Sequence, residues 1–286
     1  MQCMSKEGFV DVEGGKVWYK VVGEGSGVPL VTLHGGPGYP HDYLEPLEDL
    51  ASDRPVIFYD QLGCGNSDIS DRSLWTVEHF VQELQQVVEA LALKKYHVLG
   101  QSWGSALGAM FALTKPKGLM SLIFSDPYIS TPIWQKDAER LIDQLPTEMR
   151  DALRNRPAGT EEYRRALDEY YARYVRRLDP FPEPCRRSDG KANGDLNRYM
   201  WGPEEFSPTG TLVDFDPTSR FSEITLPVLL LCGRYDEATP EASEHFASLL
   251  PNARVEVFED SAHFPFWNER EKYMRTVRTF LARVES

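Results

Sequence analysis

The sequence predicts an α/β protein with a mainly parallel central sheet, helices on both faces and an inserted helical segment. Three observations support this fold class. Short apolar runs of strand length alternate with helical runs, two apolar runs end in glycine-rich loops, and the alternation stops between residues 128 and 221. Continuous apolar strands are typical of a parallel sheet that is covered on both faces. We therefore expect a core domain of residues 1–127 and 222–286, and an inserted domain of residues 128–221.

The first part of the core begins with a hairpin over 8–22, because two β-rich runs flank the turn Glu13-Gly14-Gly15. A later run has apolar residues at helical spacing, with glutamates and glutamines on the opposite face, which predicts an amphipathic helix. Apolar content and helix-stop signals predict the other elements. The expected elements are strands over 29–33, 55–59, 96–99 and 119–124, and helices over 76–93 and 105–113.

The inserted segment has charged helical runs such as 161–177, which are interrupted by proline-rich pieces such as Phe181-Pro182-Glu183-Pro184. The strand and helix alternation then returns. The expected elements are a strand over 226–233, a helix near 240–250, a strand over 254–258 and a final amphipathic helix over 268–284.

Composition excludes several classes of protein. The chain has 286 residues and a net charge of −13, so nucleic acid and anionic membranes are unfavourable partners. We see no apolar stretch of the roughly 20 residues that span a bilayer. The four cysteines form no C-x-x-C pair, and the N-terminal residues from Met1 to Glu7 lack the apolar core of a signal peptide. A reduced, cytoplasmic protein is expected, and a monomer is favoured.

The stretch Gly100-Gln101-Ser102-Trp103-Gly104 has the Gly-x-Ser-x-Gly pattern of a nucleophile elbow. An apolar strand precedes it and a helix of small residues follows it, which is the context that the motif requires. Glycines on both sides leave room where a Cβ would collide with neighbouring backbone. Ser102 is therefore the candidate nucleophile.

A serine hydroxyl needs a base, and the base works best beside a carboxylate that orients it. His263 lies in a loop after a strand and before the last helix, whereas other histidines lie on helices or inside a strand. Asp236 follows the strand over 226–233 and reaches the same sheet edge as Ser102. Asp126 and Asp260 are the competing carboxylates, but Asp260 is too near His263 in sequence to reach its ring easily.

The oxyanion of the reaction needs two N–H donors. The N–H of Trp103 is the first, because this residue follows the nucleophile. The N–H of Gly36 is the second, because the turn His34-Gly35-Gly36-Pro37-Gly38 ends a strand expected to neighbour the nucleophile strand. No cofactor or metal is needed for this chemistry.

These motifs, with Asp60-Gln61-Leu62-Gly63-Cys64-Gly65-Asn66-Ser67 and Gly233-Arg234-Tyr235-Asp236-Glu237, resemble those of the α/β-hydrolase superfamily. The order serine, aspartate, histidine is also that of its triad. Within the superfamily, the sequence is similar to the proline iminopeptidase family of serine aminopeptidases. The resemblance extends over most of the chain outside the insertion. It implies an α/β-hydrolase fold in which residues 128–221 form a helical cap over the active site.

The resemblance also implies a substrate, since such enzymes remove an N-terminal proline or another apolar residue from short peptides or amides. An exopeptidase must bind a free ammonium, which acidic side chains recognise through charge-assisted hydrogen bonds. The segment Gly202-Pro203-Glu204-Glu205-Phe206 looks like the amine-anchoring segment of the family. Glu205 is its matching position, Glu204 is the alternative, and Glu237 lies beside Asp236.

Two other interpretations remain open. A carboxylesterase or lactonase would use the same triad, and would hydrolyse short acyl esters but not aminoacyl anilides. A non-catalytic receptor with a hydrolase fold would have no reason to keep the triad together. Epoxide hydrolase and dehalogenase chemistry is disfavoured, because those reactions place a carboxylate at the elbow, where this chain has the hydroxyl of Ser102.

Overall fold

One eight-stranded sheet organises the computed structural model, which describes residues 5–286. The order of strands across the sheet is β1-β2-β4-β3-β5-β6-β7-β8. β2 is antiparallel to β1 and β4, and the other neighbouring pairs are parallel. The expected mainly parallel sheet is therefore confirmed. The strands are β1 (Ser5–Val12), β2 (Gly15–Val22), β3 (Leu30–Leu33), β4 (Val56–Tyr59), β5 (Tyr96–Gln101), β6 (Leu119–Ser125), β7 (Val228–Gly233) and β8 (Ala253–Phe258).

Helices cover both faces of this sheet. One buried apolar cluster includes Phe80, Leu107 and Phe246, and a second includes Leu47 and Val277. The sheet lies between these two clusters, as the continuous apolar strands predict. The helices are α1 (Val77–Ala90), α2 (Trp103–Leu113), α3 (Thr131–Asp143), α4 (Thr147–Asn155), α5 (Glu161–Tyr174), α6 (Glu183–Lys191), α7 (Gly194–Met200), α8 (Pro240–Leu249), α9 (Pro265–Asn268) and α10 (Arg270–Glu285).

Local chemistry determines where α1 and α2 begin. Thr76 caps α1, since its hydroxyl accepts a hydrogen bond from the N–H of His79 at 3.1 Å. Helix α2 starts at Trp103, two residues before the expected start at Ser105, because the turn at Ser102 leads directly from strand to helix. The sequence therefore predicts the element correctly and places its boundary slightly late.

Two segments differ from the sequence-based expectation. Residues His41–Ser52 form a 3₁₀ segment with buried Leu44, Leu47 and Leu50, which the sequence did not predict as an element. The helix expected over 268–284 corresponds to α10, which begins at Arg270, and the short helix α9 before it was not predicted. Further 3₁₀ turns lie at Arg72–Leu74 and Thr218–Glu223.

The chain between residues 131 and 200 is helical, since α3 to α7 all lie there. Pro184 lies in the first turn of α6, where its missing N–H has no cost, so the proline-rich piece starts a helix. Cys64, Cys185 and Cys232 are buried free thiols, and Cys3 lies outside the described residues. Across residues 5–286, no helix combines the length and apolar character needed to cross a membrane.

Candidate active site

Ser102 lies on the turn between β5 and α2. Its backbone φ of 52° and ψ of −120° are unusual for a residue that has a Cβ. Its N–H donates a hydrogen bond to the carbonyl oxygen of Ser125 at 2.9 Å, which fixes the turn against β6. The backbone strain is characteristic of a nucleophile elbow and presents the serine at the carboxyl end of the sheet.

The glycines of the motif have a steric role. A Cβ on Gly100 would overlap the carbonyl oxygen of Gly104, and a Cβ on Gly104 would overlap that of Leu33. Strand β5, helix α2 and the neighbouring strand β3 therefore approach more closely than any other residue would allow.

His263 and Asp236 meet at the same sheet edge. The Nδ1 of His263 is 2.6 Å from Oδ1 of Asp236, which also accepts a hydrogen bond from the N–H of Ala238 at 2.9 Å. The carboxylate is an acceptor, so the imidazole carries its hydrogen on Nδ1 and leaves Nε2 free for a proton. Asp236 is 1% exposed, which keeps this hydrogen bond away from water.

The two competing carboxylates make other contacts. Asp260 is exposed, and its N–H donates a hydrogen bond to Glu269. Asp126 is buried, and its Oδ2 accepts a hydrogen bond from Ser125. Asp126, Asp236 and His263 each place one potential metal-ligating atom within 4.8 Å of the others. Within this cluster, Nδ1 of His263 is hydrogen bonded to Asp236.

Two backbone N–H groups are available to an oxyanion. Trp103 is the first residue of α2, so its N–H has no acceptor within the helix. The N–H of Gly35 already donates to the hydroxyl of Tyr43 at 2.7 Å, which makes the next residue, Gly36, the better candidate in this turn. Gly36 and Ser102 line the same cavity.

A buried network joins the two loops that carry these donors. The indole N–H of Trp103 donates to Oε1 of Gln61 at 2.9 Å, and Nε2 of Gln61 donates to the carbonyl oxygen of His34 at 3.0 Å. The N–H of Gln61 donates to Nε2 of His34 at 2.9 Å, so this imidazole is neutral. Burial lowers the pKa of His34 to about 4, which agrees with that state.

One cavity of about 260 Å³ contains the elbow, the base and two glutamates. Its lining includes Ser102, His263, Glu205 and Glu237, but not Glu204. Glu204 lies beside Tyr163 instead, and its pKa is raised by burial. The structure therefore brings Glu205 and Glu237 to the expected reaction centre and places Glu204 outside the cavity lining.

The two glutamates share an unusual electrostatic environment. Burial raises the pKa of Glu205. Burial, followed by the charges of Glu205 and Asp236, raises the pKa of Glu237 well above its usual range. The hydroxyl of Tyr170 donates a hydrogen bond to Oε2 of Glu237 at 3.2 Å. Carboxyl groups that line one cavity can accept charge-assisted hydrogen bonds from a cation when they are ionised.

Sequence reasoning did not find two residues that support the site. The hydroxyl of Tyr43 donates to Oε1 of Gln101 at 2.6 Å, and Nε2 of Gln101 donates to the carbonyl oxygen of His263 at 3.3 Å. These bonds join the oxyanion turn to the loop of the base. Gln101 could have been suspected because it precedes the nucleophile, whereas Tyr43 lies in a segment with no strong pattern.

Comparisons with known proteins agree with this geometry. The family model described as alpha/beta hydrolase fold matches residues 28–270. The chain is 44% identical to the proline iminopeptidase of Heyndrickxia coagulans, over 97% of this chain and 99% of that one. It is 38% identical to the Clostridium botulinum proline iminopeptidase, over 96% and 97% of the two chains. The crystal structure of the Mycobacterium smegmatis proline iminopeptidase has a TM-score of 0.92 at 37% identity and covers 98% of each chain.

Proposed function

Since this chain belongs to the α/β-hydrolase fold family, in its proline iminopeptidase branch, we propose that Ser102, His263 and Asp236 catalyse the release of an N-terminal residue. Its function is that of a proline aminopeptidase, and its enzyme class is hydrolase. The observation that best supports the residue assignment is that Ser102 and His263 line one cavity together with Glu237, which is buried, and Glu205, which is partly buried.

The reaction proceeds in two steps. The Oγ of Ser102 attacks the carbonyl carbon of the N-terminal residue while Nε2 of His263 takes the hydroxyl proton. The oxyanion receives hydrogen bonds from the N–H groups of Gly36 and Trp103. The imidazolium then gives its proton to the leaving amine, and the C–N bond breaks to leave an acyl-serine. Water attacks this ester with His263 as base, which releases the free residue and restores Ser102.

Asp236 keeps His263 in the required tautomer. Its Oδ1 is 2.6 Å from Nδ1 of His263 and accepts the hydrogen on that nitrogen, so the other ring nitrogen can accept the serine proton. The imidazolium that forms during each step is stabilised by the same buried carboxylate.

Glu205 and Glu237 bind the substrate's amine in this proposal. Unlike an ester or a lactone, an aminopeptidase substrate carries a cation close to the scissile bond, and these carboxyl groups provide its counter-charge. The carboxylesterase and lactonase interpretation gives this pair no partner. A short peptide or an amino-acid amide is therefore the substrate that the cavity favours.

We further propose that residues 128–221 cap the cavity. Residues from this segment, including Tyr171, Asn193 and Glu205, line it together with Ser102 of the core. The cytoplasm is the proposed location, because the described cysteines are free thiols and such thiols persist in a reducing compartment.

The test compares amine-bearing and amine-free substrates. We expect Glu205→Gln to lower kcat/KM on prolyl p-nitroanilide by about a hundredfold, and to lower turnover of p-nitrophenyl acetate far less. Glu204→Gln is the matched control, because Glu204 is adjacent in sequence but does not line the cavity. Equal losses on both substrates would reject the amine-binding role. Activity of Ser102→Ala comparable to that of the unmodified enzyme would reject the nucleophile.

A further inference from the structure

A second carboxyl group lies behind the Asp236–His263 pair. Asp126 follows β6 as Asp236 follows β7, and these two strands are neighbours in the sheet. Asp126 is 0% exposed, and one of its carboxyl oxygens belongs to the cluster that spans 4.8 Å with Asp236 and His263. The mechanism above does not use this group.

The hydrogen bonds around the two aspartates leave one oxygen of each unsatisfied. Oδ1 of Asp236 accepts from His263 and Ala238, and Oδ2 of Asp126 accepts from Ser125 at 2.7 Å. Oδ2 of Asp236 and Oδ1 of Asp126 are buried, and no donor among residues 5–286 is hydrogen bonded to either oxygen. Buried carboxylate oxygens without donors are costly, and two carboxylates at this separation repel each other. A single proton between them removes both costs.

The hydrogen bonds behind Asp126 run in one direction. The hydroxyl of Tyr273 donates to Oγ of Ser125 at 2.9 Å, and the hydroxyl of Ser125 donates to Asp126. If Asp126 also donates a hydrogen bond, its acceptor is the carboxylate of Asp236. The same carboxylate accepts a hydrogen bond from His263. Burial, followed by the charge of Asp236, raises the pKa of Asp126 well above its usual range, so Asp126 retains a proton to donate.

The backbone at Asp126 is also unusual. Its φ is 50°, in the left-handed region that few residues other than glycine adopt. The N–H of Asp126 donates to the carbonyl oxygen of Leu231 at 2.7 Å, which holds the residue against the strand that leads to Asp236. Strain of this kind persists where surrounding contacts require it and is common at functional sites.

We propose that Asp126 is a positioning residue that keeps a proton at neutral pH and donates it in a hydrogen bond to Oδ2 of Asp236. The carboxylate of Asp236 is thereby fixed with Oδ1 towards His263. The effect on the reaction rests on the proposed catalytic assignment, but the protonation state of Asp126 can be measured without any activity.

Infrared difference spectroscopy tests the proton directly. The Asp126→Asn spectrum is subtracted from that of the unmodified enzyme at neutral pH, with 13C-labelled aspartate to separate aspartate bands from those of glutamate. We expect loss of one protonated carboxylic acid C=O band. Loss of carboxylate bands instead would overturn the proposal, whether or not the enzyme is an aminopeptidase.

Fluorophosphonate labelling of Ser102 tests the effect on the triad, and the probe carries no amine that Glu205 or Glu237 could bind. Asp126→Asn keeps a donor for Asp236, and we expect its labelling rate to stay within about threefold of the unmodified rate. Asp126→Ala removes the donor, and we expect a loss of about tenfold to a hundredfold. Equal rates for the two variants would overturn the proposal. A Ser102→Ala variant that still labels would reject the nucleophile assignment and leave the infrared result intact.

Discussion

The indole N–H of Trp103 donates a hydrogen bond to Oε1 of Gln61 at 2.9 Å, at the residue whose backbone N–H we assign to the oxyanion. The same Gln61 side chain donates to the carbonyl oxygen of His34, which lies two residues before Gly36. One buried amide thus links the two loops that carry the proposed oxyanion donors. The separation of these donors depends on that link.

We therefore expect Gln61→Met to lower kcat for prolyl p-nitroanilide by about tenfold to a hundredfold with little change in KM. The substitution removes the link but touches neither the amine site nor the triad. Steady-state kinetics separates the two parameters. Gln85→Met is the control, since Gln85 hydrogen bonds only to Glu89 on the exposed surface of α1. A change in KM alone would contradict a role at the oxyanion.

The glutamate pair predicts proton release when an amine binds. Burial raises the pKa of Glu237, which favours its protonated form in the free enzyme, whereas an ammonium beside it favours the ionised form. We expect about one proton to be released for each bound prolinamide in the Ser102→Ala enzyme. KM should accordingly fall as pH rises, until the substrate's own amine loses its proton.

Calorimetric titration in two buffers of different ionisation enthalpy measures this proton. In the Ser102→Ala background, the Glu237→Gln variant should bind prolinamide more weakly and should release fewer protons for each molecule bound. Binding with the same heat in both buffers would mean that the pair is already fully ionised.

The sequence could predict that Ser102, Asp236 and His263 lie at one edge of the sheet, because each of them follows a strand with a strong local signal. Ser102, Asp236 and His263 come after the apolar runs of β5, β7 and β8, and parallel strands end at a common edge. The same rule reaches Asp126 after β6, but it does not say which carboxylate holds the histidine. That choice depends on the hydrogen bond between Asp236 and His263, which the sequence does not display.

The local sequence pattern could not predict which of Glu204 and Glu205 lines the cavity. Glu204 and Glu205 are adjacent, so no periodicity separates them. The indole of Trp201, three residues away, donates to the carbonyl oxygen of Glu204 at 3.1 Å, whereas the indole that donates to the carbonyl oxygen of Glu205 at 2.8 Å belongs to Trp134, 71 residues away. The role of Tyr43 could not be predicted either, because its hydrogen-bond partner Gln101 is 58 residues away.

Glu83 on α1 should make stability depend on pH. Burial raises its pKa to about 8 from 4.5, although the N–H of Leu62 opposes this by donating to the carboxylate. Between these two pH values the folded chain holds a proton that the unfolded chain has lost, so the free energy of unfolding falls as pH rises. Glu83→Gln cannot ionise. We expect it to match the unmodified chain near pH 4.5 and to exceed it by on the order of 3 kcal/mol at pH 8.

Urea unfolding at the two pH values measures this difference. Glu89→Gln on the exposed face of the same helix is the matched control. A stability gain for Glu83→Gln that is equal at both pH values would contradict a buried titrating group.

Two glycines of α2 should respond in opposite ways to the same substitution. A Cβ on Gly104 would overlap the backbone carbonyl of Leu33, so Gly104→Ala forces apart the elbow and strand β3. We expect it to destabilise the fold by about 3 kcal/mol or more and to abolish fluorophosphonate labelling of Ser102. Gly108→Ala lies one turn further along the same helix, where the nearest atom to the new Cβ would be Val98 Cγ1 at an ordinary 3.5 Å. In a helix interior, alanine is more favourable than glycine by about 1 kcal/mol. Gly108→Ala should therefore be neutral or stabilising for the fold, and Ser102 in this variant should react with the fluorophosphonate at the normal rate. Thermal unfolding and labelling of the two variants together separate close packing at the elbow from a general intolerance of this helix to substitution.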